Sequence, residues 1–80
     1  MHQPDLNEIQ HGWEVYEPMG EAIGEVVEVQ TDTIHVQTHG LFAKDLYIPA
    51  TAIAEVEPNR VELNVPKNDL NGRGWENPPG

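Results

Sequence analysis

The chain reads as all-β: a small, strongly bent antiparallel β-barrel of five or six strands, with short helical turns at its ends. Three observations predict it. First, residues 15–29, V-Y-E-P-M-G-E-A-I-G-E-V-V-E-V, have the pattern of a strand, a polar turn closing on Gly20, and a second strand interrupted by Gly24. Second, T-I-H-V-Q-T and V-E-L-N-V alternate apolar and polar residues with the period of a half-buried strand. Third, hydrophobic residues make up 38% of 80 residues and include only five aromatics, so the core must be Val, Ile and Leu. A core that thin requires either a compact closed barrel or completion by another copy or a partner.

Taken in order, residues 4–12 predict a short helical lead-in. Asp5 and Glu8 have capping-box spacing, Leu6 and Ile9 share a face, and Gly12 stops the turn. Strand one is expected at Trp13–Tyr16 and strand two at Ala22–Gln30. Gly20 supplies the positive φ of the tight turn between them. Gly24 marks a bulge or a close backbone approach, and a bulge there would restore Ile23, Val26 and Val29 to one face. Strand three is Thr33–Thr38, with Ile34 and Val36 inward and His35 and Gln37 outward. His39-Gly40 breaks it, and Leu41-Phe42-Ala43 forms an apolar connection. Strand four is Asp45–Ile48, ended by Pro49, which lacks a ladder donor. Residues 49–52 turn a corner into a hairpin, Ile53–Val56 and Val61–Val65, about Glu57-Pro58-Asn59-Arg60. A helical turn follows at 66–70, and the Gly- and Pro-rich segment 72–80 reads as frayed apart from Trp75. The expectation is one domain over residues 1–80, with the barrel at about 9–66 and a tail at 67–80.

This order of motifs resembles the PRC-barrel superfamily, and within it a short, stand-alone bacterial family of unknown function. The residues that carry the resemblance are Val15-Tyr16, Gly20, Ile23-Gly24, Val26 and Val29. Leu46-Tyr47-Ile48-Pro49 with Ala52-Ile53, then Val61 and Leu63, complete it. The resemblance implies a protein-interaction or assembly module. These positions are apolar or glycine and transfer no catalytic residue.

Fourteen acids against Lys44, Arg60, Lys67 and Arg73 leave a formal charge of −10. Four scattered bases cannot form a phosphate-binding face, which weighs against direct nucleic-acid contact and an anionic membrane surface. The same field would draw in a basic protein partner. The chain has no cysteine and no serine, so it lacks both common acyl-transfer nucleophiles and any disulfide or thiolate metal site. It has no apolar run of membrane-spanning length and no signal-peptide core after Met1, and a cytoplasmic protein is the expectation.

His35 and His39 are four apart. On a strand that spacing separates them by roughly 13 Å, too far to share one ion unless the turn folds His39 back or His2 or His11 joins. No metal site is assigned. Glu14, Glu17, Glu21, Glu25 and Glu28 crowd the first hairpin, without a calcium-loop pattern, and read as a solvated strand face. The candidate interaction surface comprises His35, Phe42, Tyr47 and Trp75. Phe42 could instead plug a barrel end, and Trp75 could plug the barrel of its own chain, anchor on a neighbour or be disordered. Gly20, Gly24 and Pro49 are structural.

The expected function is a non-enzymatic protein-binding or assembly module, without cofactor, acting through a protein partner or as a homodimer. The alternatives are a small-molecule or metal-binding barrel mouth near His35, His39 and Tyr47, and a ribosome or RNA-processing accessory acting through a basic protein.

Overall fold

The computed structural model describes residues 6–40 and 43–76, apart from the side chains of 71 and 72. Six strands form one sheet: β1 (Glu14–Tyr16), β2 (Ala22–Val29), β3 (Thr33–Thr38), β4 (Asp45–Pro49), β5 (Ile53–Glu57) and β6 (Arg60–Leu63). Short 3-10 turns lie at Leu6–Glu8, Ala50–Ala52 and Lys67–Gly72. The strand order is β4-β3-β2-β1-β6-β5.

The bend follows from this order. β4 and β5 are the two edges of the sheet, yet only Ala50–Ala52 joins them. Three intervening residues span at most about 15 Å. In a flat sheet the edges would stand about 24 Å apart, five spacings of about 4.8 Å. The sheet must therefore curl, and it forms a half-barrel. All-β architecture and strong bending are as expected, but the antiparallel ring is not. β1 and β6 pair in parallel, Val15 opposite Val61, while the other four neighbouring pairs are antiparallel. A tight turn can join only antiparallel strands. β1 and β6 are brought together by most of the chain's length, and no turn constrains their direction.

Two bulges sort the side chains of β2. Against β1, Val15 faces Gly24 and Tyr16 faces Ala22, leaving Ile23 as the extra residue. Against β3, Val26 faces Val36 and Glu28 faces His35, leaving Val27 extra. Ile23 and Val26 are thereby buried, as the expected bulge beside Gly24 requires, whereas Val29 is only half-buried. Gly24 is a close-approach position. A Cβ there would fall on the Gln37 carbonyl oxygen and within 2.8 Å of the Thr38 Cα. Gly20 has φ +93° and its N–H donates to the Glu17 carbonyl at 2.9 Å, closing the turn.

The core is aliphatic: Val15, Ile23, Val26, Ile34, Val36, Leu46, Ile48, Ile53, Val61 and Leu63 meet inside the curl. Leu6, Ile9, Ala52, Val65 and Leu70 extend it, and Trp13 and Trp75 pack on its margin. The lead-in thus docks through Leu6 and Ile9, as their spacing predicts.

Three expectations need correction. Pro49 does not stop β4 short but is its last residue, opposite Thr33. β4 is an edge strand, where a missing donor costs no ladder bond. β6 ends at Leu63 rather than Val65, because Asn64 turns to the Ala50–Ala52 corner: its N–H donates to Ala52 O at 2.8 Å and its Nδ2 to Thr51 O at 3.0 Å. Finally, the described part of the tail is docked. Tyr47 N–H donates to Trp75 O at 2.7 Å, and Lys44 Nζ pairs with Glu76 Oε2 at 2.7 Å.

Candidate functional site

The register of β2, β3 and β4 places His35 between Glu28 and Tyr47, with Asp45 one diagonal step away. Its Nε2 lies 3.0 Å from Asp45 Oδ1, and its ring stacks on Tyr47 at a centroid distance of 4.6 Å. His39 turns elsewhere, with its Nε2 3.3 Å from Glu14 Oε2. The two histidines therefore take separate carboxylates, and among the described residues no group of three potential ligands assembles. His35 and Tyr47 thus stand side by side on one face of the sheet. Trp75 reaches β4 through its backbone and packs half-buried on its own core. Phe42 lies outside the described residues.

The glutamates of the first hairpin are not one solvated face. Glu17 is only 3% exposed, and its Oε2 accepts the Glu21 N–H at 3.2 Å. Glu21 in turn holds Lys67 Nζ at 2.6 Å, tying the hairpin to the Lys67–Gly72 turn. That hydrogen bond and the Glu21 charge raise the Lys67 pKa above its ordinary 10.5. Only Glu14, Glu25 and Glu28 occupy outward strand positions, with Glu14 and Glu25 directly opposed.

Each base faces an acid. Arg60 lies over the Tyr16 ring at 4.0 Å and within 3.6 Å of Glu62 and 3.9 Å of Glu57. Arg73 pairs with Asp69 at 3.9 Å, and its guanidinium carbon is 5.6 Å from the Trp75 ring centroid.

The two edges of the sheet are treated differently. Trp75 and Glu76 cover β4. On β5, by contrast, no described residue makes a backbone hydrogen bond from the outer side. Ala54 is an extra residue against β6, and Ala54, Glu55 and Glu57 are exposed. Beside this edge lies a cleft of about 380 Å³ walled by Trp13, Val56 and Pro58 and rimmed by Glu8, Gln10 and Glu57. A second cleft, of about 370 Å³, has Ile23, Leu46 and Leu70 at its floor and Lys44, Lys67 and His39 among its lining. Sequence reading missed the β5 cleft because it depends on the β1–β6 pairing, which seats Glu14 opposite Arg60 and brings Trp13 beside Pro58. The alternating I-A-E-V-E of β5 marks a strand but carries no sign that it is an edge.

A family model described as an uncharacterized protein conserved in bacteria (DUF2171) matches residues 9–71. No curated protein matches the chain. The match spans most of the chain and takes in all six strands, so the chain belongs to this family. No helix among the described residues is long and apolar enough to cross a membrane.

Proposed function

We propose that this DUF2171 chain is a non-enzymatic protein-binding module of PRC-barrel type that engages its partner at the outer edge of β5. The observation that carries this reading is the asymmetry of the sheet's edges. One takes a backbone bond from the chain's own tail at Tyr47, and the other has no outer backbone partner among the described residues, beside a cleft lined by Trp13, Val56 and Pro58. An unpaired edge is a template for an added strand, which takes affinity from main-chain bonds and specificity from alternate side chains. His35 and His39 are each paired with a single carboxylate, of Asp45 and of Glu14.

Photo-crosslinking from a reactive side chain placed at Glu55, in native lysate, tests this. A discrete adduct with a defined protein, absent when the same group replaces Gln37 on the central strand, supports edge binding. Equal adducts from both positions, or none from Glu55, would remove it.

A second reading, a small-molecule site, is favoured by the cleft over Ile23, Leu46 and Leu70. Its size falls in the lower range of ligand pockets, and it joins an aliphatic floor to polar groups at the mouth. Ligand-induced thermal shifts that a Leu70→Trp substitution abolishes would favour it over the interaction module.

A further inference from the structure

We infer that the partner at β5 is an extended basic segment that adds as a strand and places a lysine or arginine side chain in the Trp13–Val56–Pro58 cleft. This rests on the edge-binding reading above and names the partner's chemistry. The cleft is lined by an indole, a valine and a proline, with Glu8 and Glu57 among its other lining residues. A long basic side chain matches both parts. Its methylene stem packs on the apolar walls, its cation lies over the Trp13 face, and its head meets the two carboxylates. Along the edge, Glu55 and Glu57 are exposed and would oppose alternate residues of an added strand.

Charge also excludes the nearest competitors. A second copy pairing β5 with β5 would set Glu55 and Glu57 against their equivalents, and like charges directly opposite destabilise a sheet. Nor does this chain supply a basic strand of its own. Among the described strands the one base is Arg60 of β6, which is engaged by Tyr16, Glu57 and Glu62. The field of a chain with formal charge −10 speeds the approach of a basic segment and repels an acidic one.

The test uses the isotopically labelled full chain and a synthetic eight-residue peptide of lysine and valine whose lysines occupy both faces of an extended strand. Its glutamate–valine counterpart and a version N-methylated on alternate amides serve as controls. The expected result is saturable amide shifts at 53–57 and on the Trp13 indole with the basic peptide only. Binding should weaken about tenfold between about 20 and 300 mM salt. Glu57→Lys, an exposed change that leaves the core intact, should weaken it about tenfold as well. Equal response to the acidic peptide overturns the inference, as does undiminished binding of the N-methylated one or shifts confined to other strands. If the basic peptide fails while the Glu55 adduct persists, the partner's chemistry is wrong and the module reading stands. If both fail, both fall.

Discussion

Replacing Gly24 with alanine isolates the closest backbone contact in the sheet. In an unobstructed strand this change stabilises by about 0.4–1 kcal/mol, because alanine has less unfolded-state freedom to lose. Here the added Cβ meets backbone atoms of β3. It falls on the Gln37 carbonyl oxygen and lies 2.8 Å from both the Gln37 carbonyl carbon and the Thr38 Cα, where ordinary contact begins at 3.4 Å. Relief requires moving the chains apart by at least 0.6 Å (3.4 less 2.8). β3 cannot yield freely, since it is bonded to β2 on one side and to β4 on the other. β2 is likewise held by Val15 across from Gly24. Overpacking strain of about 1–3 kcal/mol and about 1 kcal/mol for a weakened ladder bond, less the unfolded-state gain, give a net loss of about 2 kcal/mol. For a chain of this size, that lowers Tm by about 8–16 °C. Urea unfolding followed by tryptophan fluorescence and far-ultraviolet circular dichroism measures it. The matched control, Glu25→Gln, alters an exposed neighbour and should stay within about 0.5 kcal/mol. A Gly24→Ala protein as stable as the parent, or more so, would show that β2 and β3 are not this close and would refute the argument.

Gly20→Ala tests backbone angle instead of space: nothing lies within 4 Å of the added methyl, but φ is +93°, so the expected loss is about 1 kcal/mol by urea unfolding. Trp75→Ala should cost about 1–3 kcal/mol and speed the exchange of the Tyr47 amide in hydrogen-exchange measurements, because the indole anchors the segment that accepts that amide. The Lys67–Glu21 pair sets an alkaline dependence. The folded pKa of Lys67 is raised above 10.5, so its stabilising contribution is fully present below that value and is lost as pH rises through the folded one. The stability difference between the parent and Glu21→Gln should therefore stay level from neutral pH into the mildly alkaline range and close above 10.5, as read by chemical denaturation across pH.

What the sequence made legible was local. Alternation in T-I-H-V-Q-T placed β3 with its observed bounds, because a period of two is a property of consecutive residues. Gly20 and Gly24 stood out because each does something no other residue can do at its place. The parallel β1–β6 pair was hidden because it joins residues far apart, and nothing in E-V-Y or R-V-E-L says which way they run together. The burial of Glu17 was hidden for a related reason. A glutamate at a turn looks solvated until its carboxylate is seen to hold the turn's own amide. Of the candidate surface, His35 with Tyr47 followed from strand register, whereas the docking of Trp75 depended on a tail whose composition predicts fraying. The β5 cleft required both the parallel pair and the curl, and so lay beyond any local pattern.

The acidic composition then has two distinct uses. Where a glutamate is paired, as at Glu17, Glu21 and Glu62, it fastens turns and strands to one another. On β5, Glu55 has no such duty, and Glu57 only a long contact to Arg60 at 3.9 Å. Charges and a bulge on an edge strand are the devices by which sheets avoid pairing with themselves. Those devices discriminate rather than seal, since the charge that repels an identical or acidic strand attracts a basic one. The β4 edge, by comparison, is physically occupied by Trp75 and has no selectivity to offer. If edge protection alone were the purpose, Glu55→Lys would protect as well as glutamate does and leave the oligomeric state unchanged in light scattering. A recognition edge would, in addition, reverse its preference between basic and acidic peptides. That reversal, with solubility and oligomeric state intact, would separate a recognition edge from one that is merely guarded.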